Sequence, residues 1–222
     1  MPDIKATRKA GWQKIWTADH IKSVWDEKIA QAAWLSTPAY KMITDACEDY
    51  ESVLDVGCGG GIQYAAFREY APEIKYTGID IHPGMVKYAR QAFPEVTFDE
   101  GDATELPYAD NEFDAAMLRL VIVHYKPDFV EQILAEAIRV SSKALIILFG
   151  APPVDMVDAV RLGREGNADF NIYGREWLKS KIGRYSSQWK FTKFTLEETY
   201  IYKKAVSTAE GNQELWVVRY DV

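Results

Sequence analysis

The sequence has little cysteine and no long apolar run. Its two cysteines, Cys47 and Cys58, are too few for a disulfide framework, so a reducing compartment is the simpler interpretation and we expect a cytoplasmic protein. The longest apolar stretch, residues 144–154, is too short to cross a bilayer and is interrupted by Gly150 and two prolines. The N-terminal residues also lack the apolar segment of a signal peptide. We therefore expect no membrane partner.

Positive charge is not in excess either. The chain has 26 Lys and Arg against 33 Asp and Glu, a formal net charge of −7. A dedicated nucleic-acid binder normally carries a basic face, so we expect no nucleic-acid partner. With 48% hydrophobic residues in 222, the chain can build a sizeable core in one globular unit of ordinary size.

From about residue 52, β-rich runs alternate with stretches of helical spacing. The runs are 53–56, 75–79, 96–99, 113–118 and 144–149. This alternation predicts crossover units and a parallel sheet with helices on both faces. Two later runs, 191–201 and 214–220, are too close together for a parallel crossover, so they pair antiparallel or lie apart. We predict an α/β fold with a doubly wound, mostly parallel seven-stranded sheet and an antiparallel C-terminal edge.

The helical segments indicate an N-terminal region that is separate from the main domain. Helical spacing predicts helices at 62–70, 128–140 and around 173–182, and Asp128 with Glu131 resembles a capping box at the start of the second. Residues 1–50 also have a helical pattern and contain four of the seven tryptophans: Trp12, Trp16, Trp25 and Trp34. We predict an N-terminal helical cap or lid in 1–50 and the main domain in 51–222.

The strongest local signal is Val53-Leu54-Asp55-Val56-Gly57-Cys58-Gly59-Gly60-Gly61, a buried strand that leads directly into a glycine-rich turn. In open α/β sheets such a turn commonly meets the ligand. It fits neither the dinucleotide fingerprint, whose sixth position is here Ile62 instead of glycine, nor the P-loop, because no Gly-Lys-Ser/Thr follows. By itself, the loop is also compatible with a plain tight turn.

Two further acidic residues follow strands. Asp80 ends the second strand, where a carboxylate can accept both hydroxyls of a ribose. Asp102 follows the third, where it can accept from an adenine amino group while the Ala103 amide donates to a ring nitrogen. Each carboxylate alone is equally typical of a surface charge or a helix cap. The ordered series of Asp55, Asp80 and Asp102 favours an adenosine-containing ligand.

These residues resemble the class I S-adenosylmethionine-dependent methyltransferases, in particular the branch that acts on small molecules. The resemblance extends from residue 51 to about 149 and is looser over the C-terminal runs. Val53–Gly61 matches the first motif, Tyr76–Asp80 the second and Gly101–Ala103 the third. Ser141-Ser142-Lys143 departs from the Lys-Pro-Gly-Gly of many relatives.

The resemblance implies a Rossmann-like methyltransferase fold and S-adenosyl-L-methionine as cofactor, with S-adenosyl-L-homocysteine as product. Gly57 and Gly59 would make room for the methionine part, Asp80 would bind the ribose, and Ile81 and Met85 would lie near the adenine. The cofactor-binding residues that it implies are Asp55, Gly57, Cys58, Gly59, Asp80, Ile81, Met85, Asp102, Ala103 and, through its carbonyl, Leu118.

The acceptor side is less determined. His124 is a candidate catalytic base, or else it caps the loop before the following helix. Arg119 binds an acidic group of the substrate or pairs with a neighbouring acid of the chain. Trp16 and Trp25 line a substrate pocket as part of a lid or bury one face of a helix, and Tyr173 is a further pocket candidate. No His/Cys cluster has zinc spacing, so we expect no metal.

We therefore predict a methyltransferase, an enzyme that acts on a small metabolite or natural product through oxygen, nitrogen or carbon, as a monomer or homodimer. The alternative is a non-catalytic S-adenosylmethionine-binding sensor or partner subunit. A weaker alternative, an NAD-dependent oxidoreductase, is disfavoured by Ile62 and by the absence of a Tyr-x-x-x-Lys pair.

Overall fold

The computed structural model describes residues 17, 21, 38–152, 164–165, 168–169, 171–184, 189–196 and 212–220. Contacts divide the chain into two units, residues 1–107 and 108–222, and each is described by itself. The predicted cap lies mostly outside the described residues, as do its four tryptophans, so the cap remains a prediction.

Unit 1 alternates helices and strands. Its elements are α1 (Pro38–Asp45), β1 (Ser52–Val56), α2 (Ile62–Tyr70), β2 (Lys75–Asp80), α3 (Pro83–Ala92) and β3 (Thr97–Glu100). Strand β2 pairs in parallel with both β1 and β3. An aromatic cluster fills the space between helices and strands, with ring centroids 5.2 to 6.4 Å apart, and consists of Tyr64, Phe67, Tyr76, Phe93 and Phe98.

Unit 2 combines parallel and antiparallel pairing. Its elements are β4 (Phe113–Arg119), a 3₁₀ helix (Ile122–His124), α4 (Pro127–Val140), β5 (Ser141–Ala151), β6 (Arg164–Glu165), β7 (Ala168–Asp169), α5 (Arg175–Gly183), β8 (Trp189–Leu196) and β9 (Asn212–Tyr220). Strands β4 and β5 are parallel, whereas β9 is antiparallel to β5 and to β8. Strands β6 and β7 form a separate two-stranded sheet.

The larger sheet has seven strands in the order β3-β2-β1-β4-β5-β9-β8. This confirms the predicted mostly parallel sheet with an antiparallel C-terminal edge. Of the two pairings left open for the last strands, the antiparallel one is observed. None of the helices in the described ranges is long and apolar enough to span a membrane.

The predicted start of the helix at Asp128 is wrong. Helix α4 begins at Pro127, its N-cap is Lys126, and no side chain caps it. Proline suits the first helical position because its fixed φ is helical and its missing N–H would have no partner there. Asp128 therefore lies in the first turn, where its negative charge interacts favourably with the helix dipole although its side chain does not cap the helix.

The unusual Ser141-Ser142 pair leaves no turn between α4 and β5. The helix ends at Val140 and the strand begins at Ser141. The Ser141 hydroxyl donates to the Ala137 carbonyl at 2.7 Å, and that of Ser142 donates to the Phe113 carbonyl at 3.1 Å. Hydroxyls thus satisfy backbone acceptors at the junction of α4 and β5.

Candidate functional site

The glycine loop, residues 57–61, follows the carboxyl end of β1 and has the conformation that the sequence predicts. Gly57, Gly59 and Gly61 have φ values of 75°, 55° and 80°. Residues with a Cβ rarely adopt this left-handed region of backbone conformation, so these three positions favour glycine. Gly61 is also the N-cap of α2, which begins at the predicted residue.

The end of β2 holds this loop in place. The Ile79 carbonyl accepts from the Gly57 and Cys58 amides at 2.7 and 3.1 Å. The Asp80 carboxylate accepts from the Gly59 amide through Oδ2 at 2.9 Å and from the His82 amide through Oδ1 at 2.8 Å. Asp80 therefore has a structural role in the loop that sequence reasoning missed.

The same carboxylate retains capacity for a ligand. Each oxygen of an ionised carboxylate has two lone pairs, and a backbone amide donates to each oxygen of Asp80. Desolvation raises the pKa of Asp80, and the His82 and Gly59 amides partly offset that effect. The remaining lone pairs can accept hydrogen bonds from hydroxyl groups of a ligand.

Aromatic rings pack against Gly61 of the glycine loop and against Gly78 of the neighbouring strand β2. A Cβ on Gly61 would lie 2.9 Å from Cζ of Phe98, and one on Gly78 would lie 2.6 Å from Cδ1 of the same ring. Gly78 also faces the Cys58 sulfur, 2.9 Å from the position of a Cβ. These glycines therefore permit close packing of the strand, loop and aromatic cluster, in addition to the backbone conformation.

Asp55 and Cys58 are buried. The Tyr76 hydroxyl donates to Asp55 Oδ2, which connects β1 to β2 below the loop. Burial, followed by the charges of Asp80 and Asp55, raises the pKa of the Cys58 thiol well above its ordinary value. A thiol of this kind is a poor nucleophile, so Cys58 fills space beneath the loop and is unsuited to covalent catalysis.

The predicted adenine-side residues lie in the same unit. Asp102 is half-buried, and its Oδ1 accepts from the amide and the hydroxyl of Thr104 at 2.9 and 2.8 Å. Ala103 is buried, and Ile81 is half-buried in the loop after β2. The Asp102 side chain thus shapes its own turn, a role that its position in the sequence did not reveal.

His82 caps helix α3. Its Nδ1 accepts from the Gly84 and Met85 amides at 3.1 and 3.2 Å, which places the ring proton on Nε2. Met85 belongs to an apolar cluster at the first turns of α2 and α3, together with Ile21, Tyr40, Ile62 and Ala66. Ile21 brings part of the N-terminal segment to this end of unit 1.

In unit 2, the predicted residues lie at and after the end of β4. Leu118 is fully buried in the strand, Arg119 is its last residue, and His124 ends the 3₁₀ helix; both polar residues are half-buried. Between them Leu120 has a φ of 57°, with its amide donating to the Leu148 carbonyl at 2.8 Å. This conformation costs about 1–2 kcal/mol for a residue with a Cβ, and strain of this kind often occurs at functional sites.

Tyr173 contacts the loop that carries His124. Its hydroxyl and the Asn171 side-chain amide both donate to the Tyr125 carbonyl, the latter at 2.8 Å. The Asn171 backbone amide donates to the Val123 carbonyl at 2.6 Å, and that of Tyr173 to Gly150 at 3.2 Å. The structure thus connects the Tyr173 and His124 regions, with the Tyr173 hydroxyl already engaged. Trp16 and Trp25 lie outside the described residues.

No pattern in the sequence indicates the buried ion pair between Arg175 and Glu214. Arg175 begins α5 and Glu214 lies near the start of β9, so no local pattern connects them. No group of three or more potential metal ligands occurs in the described part of the chain.

Comparisons with known proteins agree with this geometry. Residues 53–143 match a family model described as "Methyltransferase domain". Demethylmenaquinone methyltransferase of Renibacterium salmoninarum is 30% identical over 105 residues, which are 46% of this chain and 43% of that protein. The match thus spans less than half of that relative.

Solved structures extend the likeness to the whole fold. The 1,6-didemethyltoxoflavin-N1-methyltransferase of Burkholderia thailandensis has a TM-score of 0.67 at 17% identity, over 100% of this chain and 92% of that one. The [4+2]-cyclase SpnF has a TM-score of 0.59 at 18% identity, over 83% and 82%. Such identities establish the fold. Residues 53–143 are therefore similar to a methyltransferase domain, in agreement with the resemblance that the sequence motifs indicate.

Proposed function

We propose that this protein transfers a methyl group from S-adenosyl-L-methionine to a small-molecule acceptor and releases S-adenosyl-L-homocysteine. The observation that carries the proposal is the Asp80 carboxylate, which holds the glycine loop through Gly59 and keeps lone pairs for a ribose. The solved 1,6-didemethyltoxoflavin-N1-methyltransferase of the same fold contains bound 1,6-didemethyltoxoflavin and S-adenosylhomocysteine.

The cofactor site is proposed as follows. Gly57 and Gly59 leave room for the methionine part, supported by Asp55 and Cys58 beneath the loop. Asp80 accepts from the ribose hydroxyls. Around the adenine we place Ile81, Met85, Asp102 and the Ala103 amide, with the Leu118 carbonyl as acceptor for the cofactor's amino group.

The protein's task in such a reaction is chiefly positioning. When bound, the cofactor supplies an activated methyl group, and the chain has to hold the acceptor in line with it and exclude water. Correct positioning can contribute about 7–11 kcal/mol in the best cases. An amine or activated carbon needs no general base, whereas a hydroxyl does, and His124 is the candidate for that role.

The remaining assignments concern the acceptor and its surroundings. Arg119 and Tyr173 are proposed for the acceptor side, Tyr173 through its ring because its hydroxyl is engaged by Tyr125. Trp16 and Trp25 are proposed as parts of an N-terminal lid in residues 1–50. The proposal further includes a cytoplasmic location, no nucleic-acid partner and a monomer or homodimer.

The test is a calorimetric titration with S-adenosylmethionine, S-adenosylhomocysteine and NAD. We expect the first two to bind and NAD not to. Asp80→Ala should weaken binding at least about a hundredfold, because two charged hydrogen bonds are lost. The control is Asp45→Ala, which removes an exposed carboxylate paired with Lys41 and should leave affinity unchanged. Binding of NAD alone would overturn the proposal.

Turnover separates the enzyme from its alternatives. Because the fold also occurs in a protein named as a cyclase, binding alone does not establish methyl transfer. We expect S-adenosylhomocysteine to accumulate with at least one member of a broad acceptor panel. Tight cofactor binding with no product across the panel would favour the sensor or partner-subunit alternative.

A further inference from the structure

A short segment of unit 2 connects three parts of that unit. This segment, residues 171–175, is here named the strap. Asn171 and Tyr173 donate to carbonyls of the loop after β4, and the Tyr173 amide donates to Gly150 near the end of β5. Arg175 continues the strap to β9, whose Glu214 is opposite Phe149 of β5. The strap therefore lies at the carboxyl ends of β4 and β5, the side of an α/β sheet where ligands bind.

Arg175 and Glu214 form a buried ion pair. Arg175 is 6% exposed and Glu214 is 0% exposed. Arg175 Nε donates to Glu214 Oε1 at 2.7 Å, and Nη2 contacts the same oxygen. The Trp216 indole donates to Glu214 Oε2 at 3.1 Å. The geometry of the guanidinium is thus fixed by two of its three nitrogens.

The third nitrogen, Nη1, is buried and has no hydrogen-bond partner among the described residues. A buried donor without an acceptor is destabilising because its lost hydration is not replaced, and more so when it is charged. Arg139 shows the usual arrangement, since its Nε and Nη2 donate to Glu136 and its Nη1 donates to Asp110 and the Tyr108 carbonyl. At Arg175, an oxygen of a bound ligand would supply the acceptor that Nη1 lacks.

Charge determines which kind of oxygen fits. Glu214 already compensates the positive charge of Arg175, so the pair is neutral overall. A carboxylate or phosphate at Nη1 would introduce a second negative charge beside Glu214 in a buried environment, which is costly without a further cation. A carbonyl or hydroxyl oxygen accepts the same hydrogen bond and brings no net charge.

We propose that Arg175 binds a neutral oxygen, a carbonyl or a hydroxyl, of the methyl acceptor through Nη1. This inference rests on the proposed function and narrows the acceptor class to molecules that contain such an oxygen. Glu214 acts through Arg175, because it orients the guanidinium and cancels its charge.

Acetamide and acetate are suitable probes because they have similar size and shape but differ in charge. The protein is prepared with isotope-labelled arginine, and its guanidinium signals are followed by NMR during titration with each probe. Arg175→Lys identifies the Arg175 signals, and those of Arg139 serve as the internal reference. We expect acetamide to shift the Arg175 signals saturably, with an affinity several-fold higher than that of acetate, and Arg139 to remain unchanged.

Glu214→Gln provides the matched variant. Glutamine keeps an acceptor for Arg175 but removes the compensating charge, so the preference should reverse toward acetate. Thermal unfolding checks that each variant is folded. Failure of both probes to shift Arg175, or tighter binding of acetate than of acetamide by the unaltered protein, would overturn the inference.

A parallel titration with S-adenosylhomocysteine keeps the two proposals separable. If it does not bind, the proposed function fails. If it binds while Arg175 remains unresponsive to acetamide, only the present inference fails.

Discussion

The glycine loop of unit 1 and the strap of unit 2 differ in how they are held. The loop is held by the end of β2, where the Gly59 amide donates to an aspartate 21 residues away, and by aromatic rings that approach Gly61 and Gly78. The strap is held by polar side chains that bond partners 39 to 48 residues away. In unit 1 the glycines and strand ends specify the geometry, whereas in unit 2 individual long-range pairs specify it.

Removing one member of a buried pair should have the largest effect on stability. Arg175→Met leaves the Glu214 carboxylate buried without its cation, so we expect a loss of about 3–5 kcal/mol in the free energy of unfolding, measured with urea. Arg175→Met combined with Glu214→Gln should regain most of it, since no charge remains and glutamine can still accept from Trp216.

The exposed pair Lys41–Asp45 is the control for that comparison. Both side chains are about half exposed, so Lys41→Met should change stability little. If Arg175→Met were equally mild, the strap would not depend on its long-range pair, and the contrast between the two units would fail.

Tight packing at the glycine-loop end of unit 1 should give the next largest effect. A Cβ at residue 78 would lie 2.6 Å from the Phe98 ring and 2.9 Å from the Cys58 sulfur. Gly78→Ala should therefore cost about 1–3 kcal/mol in thermal or urea unfolding. The additional change Phe98→Leu should recover part of the loss by making room.

Gly101→Ala is the matched control. Its Cβ would lie 2.6 Å from Cδ1 of Ile79, the end of a flexible side chain that can move aside. We expect a clearly smaller loss than at Gly78. Equal losses at both positions would mean that rigidity of the neighbour does not determine the cost.

The same contrast explains what the sequence could predict. Periodicity and glycine turns are local signals, so they predict the strands of the seven-stranded sheet to within a few residues and the helix at 62–70 at its observed bounds. The two-residue strands β6 and β7 carry no such pattern and were not predicted. The helix start at Asp128 was wrong because proline at 127 supplies a competing and stronger start signal.

The unpredicted features have no local signature. Nothing near Arg175 indicates that Glu214 is its partner, because only the pairing of β5 with β9 brings that carboxylate to the end of the sheet. The bond from Gly59 to Asp80 and the cap formed by His82 depend on tertiary geometry in the same way. A carboxylate at a strand end predicts a ligand site from sequence, but its structural role becomes visible only in three dimensions.

The smallest expected effect concerns Leu120, and it isolates backbone strain from side-chain loss. Leu120→Ala and Leu120→Gly both remove the half-buried side chain, and they differ in whether a Cβ remains at a φ of 57°. The free energy of unfolding in urea should therefore be about 1 kcal/mol higher for Leu120→Gly than for Leu120→Ala. At Ala115, which is buried within β4, the order should be the usual one, with Ala115→Gly destabilising by about 0.5–1 kcal/mol. If Leu120→Gly were less stable than Leu120→Ala, the left-handed backbone at residue 120 would store no strain. The end of β4 would then resemble the glycine loop, where no residue with a side chain is held in a strained conformation.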